Sequence, residues 1–260
     1  MSAPLIMTAV HHSSGSAQQR GFVSSRLGSV LLPALTACGF AYHLWYIFTQ
    51  TPSAQEAAGG LAQKIFYFHV PAAYGLYLCG LVCFVASCAY LVRATHTRNA
   101  WAQAGAEAAV AFGLMVLTSG PLWAKRAWGV YWTWDPRLTT LLLSVMLYVA
   151  MVVLRKFTGD GDAERRFAAA FGILGTVLLP VIHYSVRLWG GNHPTVVGKG
   201  GGGLSSPEMQ HAFSFGFLTM TVLAFLLLFV RAKLALAEAR LREAEELSAA
   251  LGFSEGELDP

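Results

Sequence analysis

The chain has 260 residues, of which 55% are hydrophobic and only 12% are charged, and its mean hydropathy is +0.51. A soluble globular domain carries about 25% charged residues, so this composition excludes an ordinary soluble protein and favours an integral membrane protein. The net charge of +4 needs no nucleic-acid partner, because the loops of a membrane protein are expected to hold an excess of basic residues on one side.

Apolar runs along the chain are long enough to cross a membrane as helices, since about 20 largely apolar residues span the hydrocarbon. The third run is the weakest, because Gly113, Gly120 and Pro121 interrupt it, but neighbouring helices can satisfy the backbone groups that such residues free. The sequence therefore predicts an all-α, polytopic membrane protein with about six transmembrane helices. The predicted spans lie near 27–48, 65–92, 106–124, 138–154, 167–189 and 209–230.

Basic residues are divided unequally between the two sets of predicted loops. Twelve of the 18 lysines and arginines lie in the two ends of the chain and in the second and fourth loops. Cytoplasmic loops carry the excess of such residues, so both termini are predicted to be cytoplasmic. The other six lie in the first, third and fifth loops: Lys64, Lys125, Arg126, Arg137, Arg187 and Lys199.

The pattern divides the chain into a membrane domain and two polar ends. Residues 1–25 are rich in serine and alanine and are predicted to be a disordered tail. The six-helix domain covers 26–231 and includes an outer tryptophan-rich loop at 123–137. Residues 232–260 mix charged residues with leucine and alanine, which predicts a cytoplasmic amphipathic helix.

The outer loop at 123–137 has an unusual composition. An aromatic belt at the membrane interface explains scattered tryptophans, but here the aromatics are concentrated in one loop and alternate with charged residues. Indoles supply flat apolar area, and guanidinium groups grip carboxylates. The loop therefore favours a platform for a large planar ligand with an anionic edge, with the belt as the alternative. Four of the seven tryptophans lie in it: Trp123, Trp128, Trp132 and Trp134.

Histidines from several predicted spans lie at the same outer face. His69 follows the start of the second span, His183 lies in the fifth and His193 just beyond it, while His43 and His211 lie near the ends of the first and sixth. An ionisable residue within a membrane span is costly and is a functional hypothesis by default. A single one is more often a hydrogen-bonded packing residue, but two from different helices can supply opposite axial ligands to a haem iron.

Three motifs, in order, resemble those of the WWD-motif haem-handling family of cytochrome c biogenesis. WGVYWTWD at 128–135 matches the family's W-G-x-x-W-x-W-D, and HVPAA at 69–73 and PVIHYSV at 180–186 match two further motifs. The resemblance covers roughly residues 27–230. Within the family, the number of spans and the length of the chain are similar to those of the haem exporter protein C members.

The resemblance implies a multi-pass protein of the bacterial inner (cytoplasmic) membrane that binds haem b at the periplasmic face. It implies delivery of that haem to a membrane-anchored haem chaperone for c-type cytochrome assembly, beside an ABC-type ATPase and membrane partner subunits. Such a protein is a haem-handling subunit and not an enzyme. Two alternatives stay open: a b-type membrane cytochrome, whose histidine ligands would lie within helices, and a haem lyase subunit.

By position, the resemblance implies that His69 and His193 are the axial ligands of the haem iron. The segment from Trp189 to His193 departs from the family pattern, so His183 is held in reserve as the second ligand.

The resemblance also implies a set of cofactor-binding residues in the outer loop. The tryptophans would cover the porphyrin, and Asp135 would orient the loop or Arg137 instead of taking part in acid–base chemistry. Lys125, Arg126 and Arg137 are equal candidates to pair with the propionates. The full implied set in this segment is Trp128, Trp132, Trp134, Asp135 and Arg137.

Overall fold

The computed structural model describes residues 30–54, 60–157, 161–193 and 204–251. Within these ranges the chain forms long helices and no strand, and six of the helices are long and apolar enough to cross a membrane. The prediction of an all-α polytopic membrane protein is thus confirmed. A 3₁₀ helix at Gly60–Ile65 leads directly into the second helix. The six are α1 (Val30–Thr49), α2 (Phe66–Val92), α3 (His96–Trp128), α4 (Pro136–Phe157), α5 (Asp162–Trp189) and α6 (Pro207–Ala250).

Several helices extend beyond the apolar runs that predict them. α3 continues through Pro121 and ends at Trp128, where Gly129 adopts a left-handed conformation with φ 77°. Glycine is the usual residue at this position after a helix. The outer loop is therefore shorter than the predicted 123–137, because only 129–135 connects α3 to α4. α6 likewise runs without a break to Ala250, so residues 232–250 continue a membrane helix, and the predicted tail at 1–25 lies outside the described residues.

Small residues let α2 and α3 approach closely. A Cβ atom placed on Gly105 of α3 would lie 2.5 Å from the backbone nitrogen of Cys83 on α2. On the α2 side, a Cβ on Gly75 would lie 2.4 Å from the ring of Phe112, so that ring fills the space the glycine leaves. Helices in lipid associate largely through such close packing. α2 and α3 therefore form the centre of the bundle, and α4, α5 and α6 pack around them.

A buried histidine joins α1 to α2. Pro71 in α2 has no N–H, so the carbonyl group of Tyr67, four residues earlier, has no partner within the helix. His43 of α1 is fully buried, and its Nε2 donates to that carbonyl oxygen at 3.2 Å. Gly216 of α6 makes room, because a Cβ there would lie 2.8 Å from the same oxygen. The break in α2 is thus satisfied by another helix.

A charged pair joins α3 to α6. Glu107 and Arg231 are largely buried and meet side by side: Nη2 of Arg231 donates to Oε1 of Glu107 at 2.8 Å, and Nε donates to Oε2. Gln103 adds a hydrogen bond to Oε1 at 3.0 Å. A charge in a membrane-spanning helix is costly unless a partner compensates it. This pair therefore fixes α6 against α3.

We expect Glu107→Leu to destabilise the protein by up to about 3 kcal/mol, because it leaves the Arg231 guanidinium partly buried without its partner. The measurement is the midpoint of thermal unfolding in detergent, followed by tryptophan fluorescence. Glu243→Leu is the matched control, since Glu243 pairs with His96 in a half-exposed contact worth less than about 1 kcal/mol. Equal shifts in the two variants would contradict the assignment of a structural role to the Glu107–Arg231 pair.

Candidate ligand-binding site

A cavity of about 490 Å³ lies at the end of the bundle where α2 begins and where α3 and α5 end. Its wall is formed by α2, α3, α4 and α5, by the 3₁₀ helix before α2 and the segments that follow α3 and α5, and by Phe217 of α6. Most of the wall is apolar, and a few polar and charged side chains point into it. Cavities of about 300–1,000 Å³ with this composition are typical of small-molecule and cofactor sites.

Two histidines face each other in this cavity. The ring centroids of His69 on α2 and His193 after α5 are 6.4 Å apart, and their planes are inclined by 31°. A metal bound between two imidazoles lies about 2 Å from each nitrogen, and each nitrogen lies about 1 Å from its ring centre, so the two centres stand about 6 Å apart. The observed spacing fits two opposite axial ligands. His183 also lines the cavity, with its ring 4.9 Å from that of Tyr184.

The hydrogen bonds around His69 determine which of its ring nitrogens has a lone pair available for a ligand. Nδ1 lies 2.9 Å from the hydroxyl of Ser119, and that hydroxyl donates its only proton to the Met115 carbonyl at 2.6 Å. Nδ1 must therefore carry the proton, which leaves the Nε2 lone pair available. Metal-binding histidines are usually held by such a hydrogen bond from the second nitrogen. Gly120 makes room for the ring, since a Cβ there would lie 3.1 Å from Cε1.

The surroundings of His193 produce the opposite protonation. Nη1 of Arg137 lies 3.0 Å from Nδ1, and a guanidinium only donates, so Nδ1 accepts and Nε2 holds the proton. For Nε2 to bind a metal, its proton must move to Nδ1, and Nδ1 can take that proton only after it has released Arg137. Arg137 also donates through Nε to Ile182 at 3.2 Å and through Nη2 to His183 at 3.0 Å, in both cases to the backbone carbonyl. It thus ties the start of α4 to the end of α5 and to the segment that follows.

Asp135 holds the turn before α4. It is buried, and its Oδ1 accepts from the backbone N–H of Leu138 at 2.9 Å. A carboxylate in this position caps the N-terminus of a helix. Asp135 therefore fixes the backbone from which Arg137 projects, and it is not among the described residues that line the cavity.

Three of the four tryptophans of the predicted platform belong to the set that the resemblance implies as cofactor-binding, and the structure separates them. Trp128 and Trp132 line the cavity, whereas Trp134 lies outside it with 75% of its surface exposed. The ring of Trp134 packs edge-on against Trp132 at 5.8 Å. Within the described residues, the buried indole N–H of Trp132 has no hydrogen-bond acceptor. Trp132 therefore offers a donor at the wall, and Trp134 presents an apolar face outward.

The structure adds lining residues that are outside the cofactor-binding set implied by the resemblance. Trp123 lines the cavity, packs edge-on against Trp128 at 5.3 Å and donates from Nε1 to Gln63 at 3.2 Å. The composition of the predicted loop, which includes Trp123, was the available signal. Gln63 and Arg187 also line the cavity, and no motif marked them.

Two of the five histidines predicted at this face do not line the cavity. His43 and His211 are not among the described lining residues. They lie in an aromatic cluster between α1 and α6, where the Tyr42 hydroxyl is 3.1 Å from Nε2 of His211 and Phe215 stacks on both rings. These two imidazoles are packing residues.

The fold and the cavity together define a multi-pass α-helical membrane protein with a histidine pair and an aromatic wall at one end of its bundle. The model of the heme exporter protein C family matches residues 12–249. The chain therefore belongs to this family.

Individual relatives agree with that assignment. The chain is 34% identical over 178 residues to "Heme exporter protein C" of Bradyrhizobium diazoefficiens, which covers 68% of this chain and 65% of the relative. It is 35% identical over 136 residues to the protein of that name in Escherichia coli, with 52% and 55% covered. A "Putative cytochrome c biosynthesis ccmC-like mitochondrial protein" of Marchantia polymorpha is 29% identical over 190 residues, with 71% and 78% covered. The chain thus spans between half and two thirds of the length of the two bacterial relatives.

Proposed function

We propose that the protein binds haem b at the periplasmic face of a bacterial inner membrane and delivers it to a membrane-anchored haem chaperone for c-type cytochrome assembly. The observation that carries this proposal is the 6.4 Å spacing of the His69 and His193 rings in an aromatic cavity. The printed names of the relatives, which refer to heme export and to cytochrome c biosynthesis, support it. Two imidazoles are a known ligand set for a haem iron.

The two histidines have different tasks in this proposal. His69 has its free lone pair at Nε2 before haem arrives, because Ser119 holds the proton on Nδ1. His193 binds second, since it must first give up its bond to Arg137. The loss of that bond offsets part of the energy of iron ligation. The affinity for haem is then high enough for capture and low enough for release.

The aromatic wall would determine how haem is presented. Trp128 and Trp132 would cover the porphyrin within the cavity. Trp134 is exposed beside Trp132 and would contact the chaperone that receives the haem. An exposed indole packed on a lining indole connects the outer surface to the bound ligand, and tryptophan is among the residues that contribute most to protein interfaces.

The role is that of a handling subunit and not of an enzyme. We propose that the subunit works beside an ABC-type ATPase and membrane partner subunits, with both termini in the cytoplasm. The larger number of basic residues in the loops on that side supports this orientation. The cavity then opens on the periplasmic side, where a chaperone would reach it.

A transfer experiment separates delivery from electron transfer by a b-type cytochrome. Purified protein is loaded with haem and mixed with the soluble domain of a haem chaperone, and the movement of haem is followed by absorbance. We expect Trp134→Ala to keep the low-spin haem spectrum while transfer slows by about tenfold or more, as for the loss of an interface tryptophan.

The control variant is Trp45→Ala, because Trp45 is also exposed (53%) but lies on α1 outside the cavity wall. It should transfer haem at the wild-type rate. Haem that stays bound and never moves from the wild type to the chaperone would contradict delivery and favour a resident b-type haem. Thioether bond formation by the isolated protein would favour the haem lyase alternative.

A further inference from the structure

The described wall of the cavity carries positive charge and no carboxylate. Among the described residues that line it, Arg137 and Arg187 are the two with a permanent charge. Both are arginines, whose planar guanidinium groups fit a carboxylate with two parallel hydrogen bonds. The cavity therefore favours a ligand with an anionic edge.

Arg137 is already occupied within the protein. Its Nε, Nη1 and Nη2 each donate to a separate acceptor, namely two carbonyl groups of α5 and the ring of His193. The bonds from Nε and Nη2 hold the start of α4 to α5 whether or not His193 keeps its bond to Nη1, so a ligand that took those two donors would detach α4 from α5. Arg137 is thus a positioning residue.

Lys125 is occupied as well. Its Nζ donates to the carbonyl of Gly129 at 2.9 Å and lies 5.2 Å from the ring centre of Tyr131. These contacts close the C-terminal end of α3, where a cation is favoured. Neither Lys125 nor its exposed neighbour Arg126 is among the described lining residues.

Arg187 differs from these cations. It lies one turn after His183 on α5, and both residues line the cavity. Its side chain is exposed and makes no hydrogen bond or ion pair with the described part of the chain. Its guanidinium is thus accessible at the mouth, where the propionate edge of a porphyrin would emerge.

We propose that Arg187 binds the carboxylate edge of the porphyrin and so determines specificity for a dicarboxylate macrocycle. This inference rests on the proposed function. His69 and His193 then bind the iron at the centre of the ligand, and Arg187 binds the carboxylates at its edge. Because a carboxylate grip at an exposed mouth is screened by salt, its contribution falls as ionic strength rises.

The test compares haem with haem dimethyl ester, which keeps the iron and the macrocycle but has no free carboxylate. Both are titrated into the full-length protein in neutral detergent at low salt, with the low-spin absorption band as the readout. We expect the wild type to bind haem about tenfold more tightly than the diester, as a charge-assisted bidentate contact at an exposed position would give. Arg187→Gln should lose that preference by weakening haem binding alone, and Arg187→Glu should reverse it.

The matched control is Arg126→Gln, which removes another exposed positive charge, one that is not among the described lining residues, and should keep the preference. An Arg187→Gln variant that still prefers haem tenfold would overturn the inference while the proposed function stands. A preference lost in Arg126→Gln and kept in Arg187→Gln would also overturn it. A wild type that binds neither compound would overturn the proposed function and this inference together.

Discussion

Replacing His69 by alanine is expected to abolish the low-spin haem spectrum of the purified protein and to weaken haem binding by at least about a hundredfold. Among the two facing rings, that of His69 has the available lone pair in the ligand-free protein, because Ser119 keeps the proton on Nδ1. Loss of a residue that only orients a metal ligand costs about 10–100-fold in affinity, so loss of the ligand itself costs more. The measurement is an absorption spectrum after expression with haem, followed by titration.

Two comparisons sharpen this experiment. Ser119→Ala removes the partner of His69 but leaves the ring, so we expect a weaker loss of about tenfold. His211→Ala removes an imidazole that lies in the aromatic cluster between α1 and α6 and should leave the spectrum unchanged. If His69→Ala retained the wild-type spectrum, the ligand assignment would be wrong.

The same spectra decide the second ligand. His193→Ala is expected to convert or abolish the low-spin band, whereas His183→Ala should keep it, since the ring of His193 is the one that contacts the ring of His69. The reverse result would assign the second position to His183 and would favour a b-type site within the helices.

Of the glycines described above, Gly105 is the one at which replacement by alanine is expected to destabilise the bundle most. The added Cβ would lie 2.5 Å from the backbone nitrogen and 2.7 Å from the Cα of Cys83. A backbone cannot rotate away as a side chain can, so α2 and α3 must separate. Extra atoms in a well-packed core typically cost about 1–3 kcal/mol, and a backbone clash belongs at the upper end.

Gly39→Ala provides the control for this change. A Cβ on Gly39 meets only the side chain of Thr219, at an ordinary 3.7 Å. Both variants are measured by thermal unfolding and by the monodisperse fraction on size exclusion in the same detergent. Equal behaviour of the two would show that α2 and α3 are not held as closely as the Gly105 contact requires.

The sequence predicted the membrane helices because their signal is local. A run of about 20 apolar residues is stable in lipid as an α-helix, because every backbone group then forms its hydrogen bond within the same helix. The ends of the helices were less predictable. α6 continues from Phe229 to Ala250 because its alanine, leucine, glutamate and arginine residues favour helix after hydropathy has fallen.

The candidate site was predictable in its residue types and less so in its geometry. Hydropathy places His43, His69 and His211 at the same depth, but it does not give the direction in which each helix faces. That direction depends on packing between helices far apart in the chain. The contact of His69 with Ser119 joins residues 50 positions apart. The sequence places Arg187 among the outer basic residues but does not show that it lines the cavity, because that depends on the packing of α5.

The bond between His43 and the Tyr67 carbonyl has a consequence for the register of α1. Apolar helix faces slide past each other in lipid at small cost, but a carbonyl left without a partner in hydrocarbon costs several kcal/mol. Sliding α1 by one residue would break this bond. None of the described lining residues belongs to α1, yet its histidine holds α2 two residues before His69. An outer helix with no described residue in the cavity wall thus fixes the depth in the bilayer of His69, the proposed iron ligand.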